Sequence, residues 1–255
     1  LEAAMIEIDN LSKRYGDFVA VDGLCLQVRR GEIFGFLGPN GAGKTTTIRM
    51  MMGLLQPTAG RIRLGGFDLA EAPIEAKRIS GFVPDRPFLY EKLTAAEFLR
   101  FCADLYEIAP SERERRIDEL LDAFDLNEWA GELIESFSHG MKQRLAFSAA
   151  LLHKPQLLVV DEPMVGMDPR GARMLRGLLR SLAMQGATLF LSTHSLEVAE
   201  ALCDRIGIIQ AGRLIALGTQ DDLRARAGDA RGLEEVFLKL TGAEDLLEVI
   251  QALRA

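Results

Sequence analysis

Two rhythms of apolar and polar residues alternate along this chain, and the switches between them predict an α/β frame interrupted by a helical stretch. Met5-Ile6-Glu7-Ile8 alternates as a strand with one buried face does. Ser12-Lys13-Arg14-Tyr15-Gly16 is polar and reads as a loop; Val19 to Val28 reads as further strand before a turn at Arg30-Gly31. Ile33-Phe34-Gly35-Phe36-Leu37 is a short unbroken apolar run, the pattern of a buried strand. Lys44 to Met52 suits a helix. After a turn at Gln56-Pro57-Thr58-Ala59-Gly60, Arg61-Ile62-Arg63-Leu64 alternates like an edge strand and stops at Gly65-Gly66. Ser80-Gly81-Phe82-Val83 is a short strand ending at Pro84.

From about Thr94 to Lys154 the spacing becomes helical almost throughout. Thr94 and Glu97 have capping-box spacing ahead of Phe98, Phe101, Cys102 and Leu105, and Ser111 and Glu114 repeat it ahead of Ile117, Leu120, Leu121 and Phe124. Ser138 suits the cap of a third helix, with Met141, Leu145, Ala149 and Leu152 on one face. The strand texture returns at Leu157-Leu158-Val159-Val160, which ends in Asp161-Glu162. Asp168-Pro169 opens a helix to about Gln185, with Asp at the cap and Pro first inside. Thr188 to Ser192 is another strand, followed by Thr193-His194; Leu196 to Cys203 is helical. Ile206 to Ile209 and Arg213 to Ala216 form a hairpin around Ala211-Gly212. Short amphipathic helices follow Gln220, among them Leu246 to Leu253. Leu1 to Ala4 precede the first methionine and are left out of the fold.

Composition narrows the function. The 255 residues are 48% hydrophobic and 26% charged, as in an ordinary globular chain with a sizeable core. The net charge of -7 argues against a nucleic-acid partner, which calls for a basic footprint. Cys25, Cys102 and Cys203 are widely spaced, so reduced intracellular thiols are expected. No signal peptide and no membrane-length apolar run are present, so a membrane role has to come through a partner.

The chemistry concentrates at Gly38-Pro39-Asn40-Gly41-Ala42-Gly43-Lys44-Thr45, which fits the phosphate-binding pattern G-x-x-x-x-G-K-[ST] at every fixed position. Glycines let backbone amides close around an anion, Lys44 adds a charge for the outer phosphates, and the Thr45 hydroxyl can ligate Mg²⁺. A second metal anchor is needed, and Asp161 at a strand end suits it, with Glu162 placed to activate water. Alone, two acidic residues closing a strand would be surface groups; a phosphate loop upstream gives both a use. Tyr15 is open between a surface ring and a base-stacking one.

Taken in order, these segments resemble the ATP-binding subunit of an ATP-binding cassette (ABC) transporter over nearly the whole length. Gly38 to Thr46 resembles the Walker A segment, Leu157 to Pro163 Walker B, and Phe137-Ser138-His139-Gly140-Met141-Lys142-Gln143-Arg144 the signature written L-S-G-G-Q. Gly166-Met167-Asp168-Pro169 resembles the D-loop, Ser192-Thr193-His194 the switch histidine segment, and Tyr15 the adenine-stacking aromatic. The signature and Leu233-Glu234-Glu235-Val236-Phe237-Leu238 look most similar to the two-component exporter (ABC-2 type) branch.

The resemblance implies a P-loop nucleotide hydrolase core with an N-terminal antiparallel β subdomain, a cassette over 5–220 with a helical lobe inserted at about 86–155, and a helical tail over 221–255. It implies ATP and Mg²⁺: Gly38, Pro39, Asn40, Gly41, Ala42, Gly43, Lys44, Thr45 and Thr46 with Tyr15 on the nucleotide; Thr45, Asp161 and Asp85 on the metal; Glu162, His194 and Lys44 in catalysis. It also implies a head-to-tail dimer, of identical chains or with a similar cassette, in which Ser138 and Gly140 of one chain meet the ATP of the other. A separate membrane-spanning permease would hold the dimer at the cytoplasmic face. Phe88, Leu89 and Tyr90 are either core or part of the docking groove. The departures are Asp85 where the family has glutamine, His139 for the first signature glycine and Met141 for its glutamine. Ionised Asp85 can ligate metal but cannot donate a hydrogen bond. Two other readings stay open: an ABC ATPase working away from membranes, and an ATP-binding regulator with little turnover.

Overall fold

The apolar runs of the sequence become the middle of a six-stranded sheet. The computed structural model describes residues 4–164, 167–228 and 232–241. In chain order, β1 (Ala4–Tyr15) and β2 (Phe18–Arg29) form a long hairpin, followed by β3 (Ile33–Leu37), α1 (Lys44–Met51), β4 (Ala59–Leu64) and β5 (Phe67–Asp68). Then come α2 (Pro73–Arg78) and β6 (Ser80–Val83), and three helices: α3 (Ala95–Leu105), α4 (Pro110–Ala123) and α5 (His139–Leu151). The chain continues through β7 (Leu157–Asp161), α6 (Pro169–Met184), β8 (Thr188–Thr193) and α7 (Leu196–Leu202). It ends in the hairpin β9 (Arg205–Gln210) and β10 (Arg213–Gly218), then α8 (Gln220–Arg226) and α9 (Leu233–Thr241).

The strands form two sheets, an antiparallel one in the order β2-β1-β4-β5 and a mixed one in the order β10-β9-β3-β8-β7-β6. In the second sheet all neighbours are parallel except β10 on β9. Its inner strands are buried on both faces, which is why they read as unbroken apolar runs rather than alternations. Phe34, Phe36, Leu157, Val159 and Phe190 face the antiparallel sheet, where they pack with Ile6, Val21, Leu26 and Met51. Leu158, Val160, Leu189 and Leu191 face the helices, with Leu99, Phe147 and Leu179. The Phe190 ring lies 5.6 Å from Phe34 and 5.4 Å from Phe36, centroid to centroid.

Three details differ from the sequence reading, and the alternative it left open at Phe88, Leu89 and Tyr90 is decided. Ala4 is part of β1 and pairs with Arg29, and β1 runs on through Ser12 to Tyr15, because its polar residues sit on the solvent side of a paired ribbon. Ser111 does not cap α4. That helix starts at Pro110, whose fixed φ suits a first position, and Glu114 instead pairs with Arg100 and Arg113. Phe88 is 89% and Tyr90 59% exposed, so neither is core, whereas Leu89 packs against the core. The short elements β5 and α2 carry too few residues to show a period. The capping box at Thr94 and Glu97 is present in full. The helix expected over Leu246 to Leu253 lies outside the described residues. Among the described residues no helix is long and apolar enough to cross a membrane.

Candidate functional site

Four parallel strands adjacent in the sheet, β3, β8, β7 and β6, bring their carboxyl ends to one edge. In open α/β sheets this is where ligands bind. The segments leaving that edge are the phosphate loop after Leu37, Thr193-His194, Asp161-Glu162 and Pro84-Asp85.

The loop itself is pressed against its neighbours. A Cβ on Gly38 would stand 2.4 Å from the Ile209 carbonyl oxygen, and one on Gly43 2.6 Å from that of Ala20. Gly43 also has φ +107°, a region closed to most side chains. Lys44, 6% exposed, curls back over the loop: its Nζ donates to the Gly38 carbonyl at 2.7 Å and the Pro39 carbonyl at 3.2 Å. The same Nζ lies 3.7 Å from Glu162 Oε1.

Asp161 ends β7 almost fully buried, accepting hydrogen bonds from the Ser192 and Thr45 hydroxyls. Burial raises its pKa, and the two hydroxyls oppose that rise. Glu162, the next residue, takes φ +53°, and its amide donates to the Ser192 carbonyl at 3.1 Å. An L side chain in that conformation costs about 1–3 kcal/mol. It directs the carboxylate over the loop, where Oε1 meets His194 Nδ1 at 2.9 Å. Together Lys44, Thr45, Asp85 and Glu162 line a cleft of about 300 Å³, with Pro39, Asn40, Gly41, Gly43 and Thr46 as its floor. Among the described residues no three His, Cys, Asp or Glu side chains gather closely enough to hold a metal alone. Thr45 and Asp161, which lie together, could supply hard oxygen donors to a divalent cation.

Ser138 and Gly140 are elsewhere. They line a separate cleft of about 500 Å³, with Asp125, His139, Arg144, Met167, Asp168 and Arg170. Ser138 caps α5 by accepting from the Met141 amide at 3.3 Å, and Asp168 caps α6 by accepting from Gly171 at 2.6 Å. A Cβ on Gly140 would meet no heavy atom within 4 Å, so among the described residues nothing requires glycine there. Gly166 lies outside the described residues.

Tyr15 stands at the hairpin tip, 49% exposed, with Lys13 Nζ 5.3 Å from its ring centroid. Phe18 and Ala20 line the phosphate-loop cleft, and the sequence reading passed both over. Their signal was the two-residue turn Gly16-Asp17, which places Phe18 opposite Tyr15. The part played by Ser192, holding Asp161, has no signal beyond a polar residue near a strand end.

Comparison with known proteins identifies the family of the chain. The family model described as "ABC transporter" matches residues 21–165. The linearmycin resistance ATP-binding protein LnrL of Bacillus subtilis (strain 168) is 42% identical over 241 residues, 92% of this chain and 78% of that protein. A solved ATP-binding subunit of an ABC transporter superposes with a TM-score of 0.88 at 37% identity, over 93% of this chain and 99% of its own. A dimeric ATP-binding cassette in a post-hydrolysis state, bound to ADP and Pi, gives a TM-score of 0.77 at 25% identity, over 84% and 98%.

Proposed function

The chain belongs to the ABC transporter family as an ATP-binding, ATP-hydrolysing subunit, and from that premise we propose that it drives an exporter by closing with a second cassette around ATP. One observation carries the proposal. The cleft with Lys44 and Glu162 and the cleft with Ser138 and Gly140 are separate on one chain, and each is open on one side. A triphosphate on the first exposes its terminal group, and the second offers a helix N-terminus and an unobstructed glycine to a charged ligand arriving from outside. Head-to-tail pairing joins the two clefts, and a structurally similar cassette that is dimeric with ADP and Pi bound supports assembly in pairs. The partner is a second copy or a similar cassette.

In this account the loop amides, Lys44 and Thr46 hold the phosphates, and Tyr15 stacks on the base. Thr45 and Asp161, with Asp85 beside them, hold Mg²⁺, which when bound offsets charge on the outer phosphates. Glu162 takes the proton of the attacking water as its oxygen bonds to the γ-phosphorus and the β–γ bridging oxygen leaves with ADP. His194 holds Glu162 in place and reaches the terminal phosphate. Ser138 and Gly140 of the other chain grip that same group, so hydrolysis removes what both chains bind. This makes ATP a ligand that favours one of two states.

The opening and closing is passed to a separate membrane-spanning permease, which places the chain at the cytoplasmic face of the membrane. An apolar cleft of about 420 Å³, lined by Phe82, Pro84, Phe88, Leu89, Phe98 and Tyr106, suits the docking. Its wall runs directly into Asp85 at the nucleotide, which gives a short route for coupling. Export is the direction that fits a relative named for resistance. The test uses Gly140→Asp. It should leave nucleotide binding to the single chain unchanged and abolish turnover, because the added carboxylate opposes the other chain's phosphate. Unchanged turnover would refute the proposal.

A further inference from the structure

A loop that cups phosphate turns its amides inward, so its carbonyls must find partners on the other side. The Gly38 and Pro39 carbonyls accept from Lys44 Nζ, and the Gly43 carbonyl from the Thr47 amide and hydroxyl, all within the loop and its helix. The Ala42 carbonyl is held from far away in sequence. It accepts from the Gly212 amide at 2.9 Å, in the two-residue turn Ala211-Gly212 between β9 and β10. In a trans peptide unit the carbonyl and the next N–H point in opposite directions. Anchoring the Ala42 carbonyl on Gly212 therefore turns the Gly43 N–H the other way, toward the cleft that Gly43 lines. That N–H donates to no group among the described residues, so it is free to meet an anion. The turn is itself clamped. The Gly212 carbonyl accepts from the Asp22 amide at 2.9 Å, and Arg213 donates from Nε and Nη2 to Asp22 Oδ2 at 2.8 and 2.6 Å. Gly212 has φ +79°, and a Cβ there would stand 2.9 Å from the Ala20 carbonyl oxygen and 3.1 Å from the Val21 Cα. Those neighbours are backbone, so a side chain at 212 lifts the turn off β2 and pulls its amide from Ala42.

We propose that Gly212 is a positioning residue for the phosphate loop: its amide, acting through the Ala42 carbonyl, aims the Gly43 N–H at the phosphates of the nucleotide. The inference rests on the loop holding the triphosphate and not on dimer closure. Coupling of this kind is reciprocal. If the hydrogen bond from Gly212 favours bound phosphate, bound phosphate tightens that hydrogen bond.

Calorimetric titration of the full chain with MgATP and with inorganic triphosphate tests this. Gly212→Ala should weaken both by the same factor, about tenfold, as loss of a hydrogen bond to a charged group does. Gly186→Ala is the control: φ is +96° there and a Cβ meets nothing within 4 Å, so it strains a turn without crowding it. It should unfold more readily in urea and bind both ligands as the wild type does. Amide hydrogen exchange of the wild-type chain needs no variant. Saturating triphosphate should slow exchange at Gly212 by about tenfold or more. The Gly65 amide, which donates to the Met5 carbonyl in another turn, should exchange as before. Unchanged affinity in Gly212→Ala, an equal loss in Gly186→Ala, no slowing at Gly212, or equal slowing at Gly65 would each overturn the inference. A wild-type chain that binds neither ligand would contradict the loop assignment itself, and the inference with it.

Discussion

His194 Nδ1 lies 2.9 Å from Glu162 Oε1, and that same oxygen faces Lys44 Nζ at 3.7 Å. Two groups, one just past β8 and one at the start of α1, therefore converge on one carboxylate atom just past the end of β7. The backbone of Glu162, held at φ +53° with its amide on the Ser192 carbonyl, keeps the side chain on that side of the sheet. In the proposed mechanism a terminal phosphate arriving at Lys44 would take the cation for itself, leaving Glu162 with His194 as its one remaining tether.

The two residues should therefore fail differently. Glu162→Gln should bind ATP as the wild type does and lose about 10²–10⁴-fold in turnover, the range expected when a positioned base is removed. His194→Ala should also spare binding but cost less, because the base remains and only its orientation is lost. Phosphate release under saturating ATP measures both. Equal losses would place His194 in the chemical step rather than in support of it.

Asp85 adds a carboxylate to a cleft that must hold phosphates, and its charge also helps to raise the pKa of Asp161. Asp85→Gln should tighten ATP binding by about fivefold at low ionic strength, the equivalent of about 1 kcal/mol. Added salt should shrink the gain. Affinity titrations at two salt concentrations check this. Weaker binding in the variant would mean that Asp85 ligates metal strongly enough to offset its own repulsion.

His153 gives the fold an acid limit. Its ring stacks on Tyr106 at 3.7 Å and 3°, and Nε2 lies 3.1 Å from the Ser80 carbonyl oxygen, so the neutral ring donates there. Burial pushes its pKa down to about 4 from an ordinary value of 6.5. Between those two pH values the unfolded chain takes up a proton that the folded chain refuses, so stability falls as pH falls. The contribution lost by pH 4.5 is about 2–3 kcal/mol. Urea unfolding at pH 7 and 4.5 should show the wild type losing that much more than His153→Gln, which keeps a donor but does not titrate. Parallel losses in the two chains would contradict the assignment.

Phe88, 89% exposed beside the apolar cleft, separates docking from folding. Phe88→Ala should change stability by less than about 0.5 kcal/mol, as a surface substitution does. Soluble ATPase activity should be kept and recruitment to membranes carrying the permease lost. Unimpaired recruitment would move the docking surface elsewhere.

What could be read from the chain and what could not divide along physical lines. Buried parallel strands announce themselves because both faces are apolar, so Ile33 to Leu37, Leu157 to Val160 and Thr188 to Ser192 were legible. The phosphate loop was legible because its glycines and lysine are adjacent in sequence. The pairing of Glu162 with His194 was not, since 32 residues separate them and only the β7–β8 register brings them together. Ser111 misled because capping-box spacing also arises by chance where a proline already starts the helix. Polar Ser12 to Tyr15 misled because a solvent-facing hairpin carries the composition of a loop. Phe18 was missed because an exposed aromatic has no periodic neighbour, and only the fold brings it to the wall of the phosphate-loop cleft.

If nucleotide closes two cassettes together, sedimentation velocity of the Glu162→Gln chain, with and without MgATP, will show it. The account predicts a single 28.1 kDa species without nucleotide and a species of twice that mass with ATP but not with ADP. Single chains at every ATP concentration, while calorimetry shows the nucleotide bound, would contradict it.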